Sequence, residues 1–129
     1  MVDPAFMFLD IEGEYVSIIR QQVRVDAATV VPDPRPTEFV KVERVGGTVD
    51  IVTDEPMVTF FVWGESWASA HDLAQLVRQR VMSVFQLDQG VVVYRITEVG
   101  GLSRAPDGPD GSPCYQFTIQ SKLRGFKAP

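Results

Sequence analysis

At 129 residues, with 45% hydrophobic and 22% charged positions, the chain has the size and composition of one globular domain. One cysteine, Cys114, excludes an internal disulfide and a cysteine-based metal cluster. The formal charge of −5 argues against a general affinity for nucleic acid, which rests on cations neutralising phosphates.

The first segment is acidic, with Asp3, Asp10, Glu12 and Glu14 and no early Lys or Arg, unlike a signal peptide. No apolar run approaches the roughly 18 residues of a membrane helix. The expected location is a cytosol, or an assembly built there, with no membrane partner. Asp3-Pro4 offers a capping carboxylate followed by a proline whose missing N–H costs nothing at a helix start. Phe8, Ile11, Tyr15, Ile18 and Ile19 follow at helical spacing, so a first helix is expected over 4–21. Val23-Arg24-Val25 alternates like a short strand. Pro32, Pro34 and Pro36 then hold an extended link, because each proline pushes its predecessor out of the helical region.

Residues 37–45 are rich in β-branched and aromatic side chains. Gly46-Gly47 reads as a hairpin turn and 48–53 as the returning arm. Asp54-Glu55-Pro56 leads into 57–63, a strand apolar on both alternating sets of positions, so neither face looks solvated. Trp63 and Trp67, four residues apart across the strand–helix corner, read first as core and second as exposed anchors for a partner. Gly64 breaks the strand and Ser66 caps a long helix over 66–87. Its stripe is Trp67, Ala70, Leu73, Ala74, Val77, Val81, Val84 and Phe85. Residues 91–97 form the next strand and Gly100-Gly101 turns the chain. Residues 103–113 are a loop by composition, long enough to be functional or flexible. In the last strand Tyr115, Phe117, Ile119 and Leu123 face one way. Gln116, Thr118, Gln120, Lys122 and Arg124 face the other, as a solvated or interface face. The tail over 126–129 reads as loose. The order of elements implies a single α+β domain over 1–129, a mainly antiparallel or mixed sheet with two helices packed on it.

The residues for chemistry are sparse. His71 is the one histidine, read as a surface residue, and a metal site of known type needs more His or Cys than this. The acidic pairs Glu12/Glu14, Asp54/Glu55 and Asp107/Asp110 read as solvated carboxylates. Cys114 reads as a buried, inert thiol. Neither Gly-Gly pair belongs to a phosphate-binding motif. No catalytic, cofactor or metal site is expected.

The segment Pro34-Arg35-Pro36-Thr37-Glu38-Phe39-Val40-Lys41-Val42-Glu43-Arg44-Val45-Gly46-Gly47 resembles a block of siphophage tail terminator proteins. Further pieces occur in matching order: the strand into Val62-Trp63-Gly64, the helix over 70–84, and the closing strand ending in Arg124-Gly125. Gly100-Gly101 and the loop at Pro106-Asp107 also fall where the family carries similar residues. The resemblance implies a tail-terminator-like α+β subunit without catalytic group or cofactor. It implies a homo-oligomeric ring, usually a hexamer, on the head-proximal end of the tail tube. The ring would stop tube growth, bind the tail tube protein on one side and a head-completion or neck protein on the other, and let DNA pass its bore without binding. The competing readings are another neck component, and a small cytosolic enzyme or ligand-binding domain.

For a ring subunit, strand edges and polar strand faces are natural contact material. The expected subunit interface is Phe39, Lys41, Arg44, Gly46, Gly47, Lys122 and Arg124. Arg44, Lys122 and Arg124 would pair with a neighbour's Asp50, Asp54 or Glu55. The loop residues Arg104, Asp107 and Asp110 would meet another partner.

Overall fold

The Asp10 carboxylate accepts the Gly13 N–H at 3.2 Å and starts the first helix, α1 (Ile11–Ile18), which loosens into a π-helical turn over Ile19–Val23. The computed structural model describes residues 6–105 and 111–127. The expected start at Asp3-Pro4 lies outside them, and 6–7 are not helical: β1 (Phe6–Met7) pairs antiparallel with β7 (Phe126–Lys127). The tail read as loose is therefore tied down through Lys127. The short strand anticipated at 23–25 forms three residues later as β2 (Asp26–Ala28).

The remaining strands are β3 (Phe39–Val49), β4 (Thr53–Trp63), β5 (Val93–Arg104) and β6 (Cys114–Arg124). The main sheet runs β2-β3-β4-β6-β5, parallel at β2–β3 and antiparallel elsewhere. The fold is thus α+β with a mixed sheet and two helices.

Two Gly-Gly pairs do not turn the chain. Gly46 and Gly47 lie inside β3, at a bulge between Arg44 and Gly46. Gly47 has φ +105°, and a Cβ there would stand 2.1 Å from the Glu55 carbonyl oxygen, so the close crossing of β3 over β4 requires glycine. The turn falls at 50–52 instead. There the Asp50 carboxylate accepts N–H groups from Val52 (2.9 Å) and Thr53 (2.7 Å), an Asx turn. The two arms are correspondingly longer than expected, and β4 absorbs Asp54, Glu55 and Pro56. Gly100-Gly101 likewise lies within β5, where the register slips, and β5 continues to Arg104.

The long helix, α2 (Trp67–Met82), follows the expected pattern at its start. Ser66 caps it, with Ser69 completing a reciprocal capping box. Gly64 lets the strand–helix corner close, since a Cβ would lie 2.5 Å from the Ala70 backbone nitrogen. Ala70, Ala74, Val77 and Val81 are fully buried. Leu73 and Val84 are partly buried against the core, whereas Phe85 is 74% exposed. The helix ends at Met82, five residues early, so Phe85 leaves the helical phase and Leu87 returns to the core.

Both helices lie on one side of the sheet. Under them sit Val40, Val42, Val58, Phe60, Val62, Phe117, Ile119 and Leu123, together with Ile11, Tyr15 and Ile19 of the first helical segment. Phe60 is the centre: it stacks on Phe117 at 4.8 Å and meets the Tyr15 ring edge-on at 5.3 Å. Burial pushes the Tyr15 phenol above its ordinary value. Phe60→Ala is expected to cost about 3–5 kcal/mol in denaturant unfolding, and Phe85→Ala less than about 0.5 kcal/mol. Equal losses would show that the helical layer is wrongly assigned.

Candidate interaction surface

Strand alternation assigns the opposite side of the sheet to Phe39, Lys41 and Glu43 of β3, Met57, Thr59, Phe61 and Trp63 of β4, and Gln116, Thr118 and Gln120 of β6. No helix covers this side among the described residues. The chain covers one end of it with the proline link. Pro32, Pro36 and Phe39 line one crevice, and the Arg35 guanidinium lies 5.1 Å from the Trp63 ring centre. Trp63 under the link and Phe61 beyond it are half-buried aromatics among polar neighbours such as Lys41, Thr59 and Gln116. The Lys41 ammonium lies 5.6 Å from the Phe61 ring centre and 3.3 Å from the Glu43 carboxylate. Thr59 and Thr118 share a hydroxyl hydrogen bond of 2.7 Å across β4 and β6.

The expected interface residues do not all belong here. Phe39 is 2% exposed and packs 5.9 Å from the Trp63 ring, so the proline link withdraws it from contact. Lys41 lies on the open face. Lys122 stands beside Tyr94 and Arg95 at one side of it. Arg124, exposed, ends β6 opposite Thr53. Gly46 borders open space, while Gly47 is pressed against β4.

Arg44 requires a correction. Its guanidinium binds both oxygens of Asp54 in its own chain, at 2.9 and 2.8 Å, and Asp54 is 1% exposed. Its backbone N–H donates to the Glu12 carboxylate at 2.8 Å, tying β3 to α1. The other proposed acids are also engaged internally: Glu55 pairs with Arg95 at 3.2 Å, and Asp50 holds the turn. Arg44, Asp54 and Asp50 hold the fold rather than wait for a neighbour, whereas the Glu55–Arg95 pair lies at the surface. Arg104 lies on the helix side with its guanidinium 4.5 Å from the Trp67 ring centre. Trp67 and His71 both meet Tyr115 edge-on, at 5.9 and 5.2 Å. His71 Nδ1 also lies 3.5 Å from the Asp72 carboxylate. Asp107 and Asp110 lie outside the described residues.

A second surface lies on the helical side, and sequence reasoning missed it. The groove between α1 and the segment after α2 is about 420 Å³, lined by Glu14, Ile18, Gln21, Phe85 and Asp88 among others. Phe85 is exposed there only because the helix ends early, which its periodicity does not signal. The Glu14 carboxylate accepts the Asp88 N–H at 2.9 Å. Burial raises the Glu14 carboxyl above its ordinary value of 4.5, helped by the Asp88 and Asp10 charges and opposed by the Asp88 N–H.

Among the described residues no three His, Cys, Asp or Glu side chains stand together to hold a metal ion. A further open cavity, about 570 Å³, is lined by Arg24, Asp26, Glu38 and Glu65 beside Val25, Pro36 and Thr37. No helix is long and apolar enough to cross a membrane among the described residues. Cys114 is buried. No protein-family model matches the chain, and no curated protein gives a significant match.

Two measurements check this electrostatic account. Arg44→Ala leaves the buried Asp54 carboxylate without its bidentate partner and is expected to cost about 3 kcal/mol, most of it recovered by Arg44→Met with Asp54→Leu. A neutral Arg44→Ala would place the pair in solvent. For Glu14, a raised folded value means that the native state holds the proton more tightly. Its stabilising share is therefore full below 4.5 and is lost as pH rises through the folded value. Glu14→Gln should remove that fall from melting curves taken from about pH 4 to 7; an unchanged slope would assign it to another group.

Proposed function

We propose that the chain is a tail terminator: a ring-forming structural subunit that caps the head-proximal end of a siphophage tail tube and receives the neck. The observation that carries this reading is the open sheet face, where half-buried Phe61 and Trp63 lie under cations with no helix over them among the described residues. Aromatic rings left half-accessible under flexible cationic side chains suit a contact with another macromolecule. The ordered resemblance of 34–47, 62–64, 70–84 and 115–125 to tail terminators supplies the kind of contact.

In this reading the work is interface burial and selectivity. One ring face matches the last layer of tail tube protein. The other refuses a further tube subunit and accepts a head-completion or neck protein. Each subunit meets its two neighbours through different patches, which is what a closed ring requires. The net charge of −5 suits a bore that DNA passes without adhering. The protein would be assembled in the host cytoplasm and carried in the virion neck. It would need neither catalytic group nor cofactor.

The direct test adds purified protein to polymerising tail tube protein and measures tube lengths by electron microscopy. Tubes should stop growing and carry a ring at one end. Lys122→Glu, at the side of the open face, should fold normally and cap poorly, leaving longer tubes. Tubes whose length ignores the wild-type protein would refute the proposal.

A further inference from the structure

We propose that the open sheet face seats a second copy of this chain, which docks through its groove between α1 and the segment after α2. The inference rests on the ring reading and sharpens it by assigning the two halves of the contact.

The two surfaces complement each other in charge. On the open face the cations Lys41, Arg95 and Lys122 outnumber the acids Glu43 and Glu55, which pair with the first two. The charged residues lining the groove are Glu14 and Asp88, both acidic, with the Asp10 charge close enough to act on Glu14. They also complement each other in apolar character. Phe61 and Trp63 form an aromatic strip on a flat face. The groove presents Phe85, 74% exposed, beside Ile18. An exposed phenylalanine flanked by carboxylates suits an aromatic strip flanked by cations, and aromatic anchors of this kind dominate interfaces.

Their placement decides the symmetry. The strip lies on one side of the sheet and the groove on the helical side, so a molecule cannot offer both halves to the same partner surface. Each copy gives its groove to one neighbour and its sheet face to the next. Such head-to-tail contacts close into a ring when the rotation permits, and otherwise grow as a filament. A face-to-face pair of sheets would instead place like cations against one another.

The test reverses one charge on each half and follows self-association by sedimentation velocity, with thermal melts confirming that each variant folds. Lys41→Glu and Asp88→Lys should each weaken association at least tenfold. Mixed one to one, they should recover it, because Glu at 41 then meets Lys at 88 and the unaltered Lys41 meets the unaltered Asp88. Oxidative cross-linking supplies a check that does not depend on charge. Phe61→Cys combined with Phe85→Cys should give a ladder of linked subunits, and Phe61→Cys alone should give none; Cys114 is buried and does not compete. Disulfide dimers from Phe61→Cys alone would establish face-to-face pairing and overturn the assignment. Wild-type rings that neither charge reversal disturbs would also overturn it while leaving the ring intact. A wild-type chain that stays monomeric would remove the ring reading itself.

Discussion

A sheet has two faces, and among the described residues helices cover only one of them. That imbalance governs the rest of the structure. The first helical segment and α2 bury one face around Phe60, with rings from Tyr15 and Phe117 in contact. On the other face the proline link reaches Phe39 and Trp63, and no helix lies over the rest among the described residues. What lies beyond is neither core nor ordinary surface. Phe61 is too apolar to be a solvated strand position, and Lys41 and Gln116 are too polar for a second core layer. A half-buried aromatic strip held under side-chain cations is the arrangement expected of a contact surface that must also survive in water before its partner arrives.

The charged residues divide along the same line. Those on the helical side that pair across elements, away from the Glu14 and Asp88 groove, are structural. Glu12 receives the Arg44 N–H, Arg44 neutralises the buried Asp54, and Arg78 of α2 pairs with Glu98 of β5. They join α1 to β3, β3 to β4 and α2 to β5, and together they fix how the helices and strands meet. On the open side the pairs Lys41–Glu43 and Arg95–Glu55 lie at the surface, where an ion pair contributes little to stability and can be exchanged for one with a neighbour. A charge change on the open face is therefore a probe of association, whereas one at Arg44 is first a probe of folding.

The parts of the fold that were legible in the sequence are those with a local cause. The Ser66 cap and the three-and-four spacing of Ala70, Ala74, Val77 and Val81 specify α2, and the alternation of Phe117, Ile119 and Leu123 specifies β6. Errors came where a local signal has two structural uses. A Gly-Gly pair serves a turn or a bulge, and both Gly46-Gly47 and Gly100-Gly101 are within strands; the true hairpin turn is set by a single carboxylate, Asp50. The Arg44–Asp54 pair was invisible as such, because it depends on the register that the bulge creates. Phe39 and Lys41 share a strand face, yet one is buried and the other not, owing to a link whose path the prolines constrain but do not define. Most instructive is β4. Apolar residues on both of its faces look the same whether the second cover is the chain's own or another molecule's.

The claim on which everything else turns is that this open face is covered by a further copy of the chain. The molar mass in solution, measured by light scattering across a concentration series, addresses it most directly. A subunit of 14.4 kDa that buries its aromatic strip against its neighbours should appear as one discrete multiple of that mass, independent of further concentration once formed. A mass of 14.4 kDa at every concentration would contradict the account.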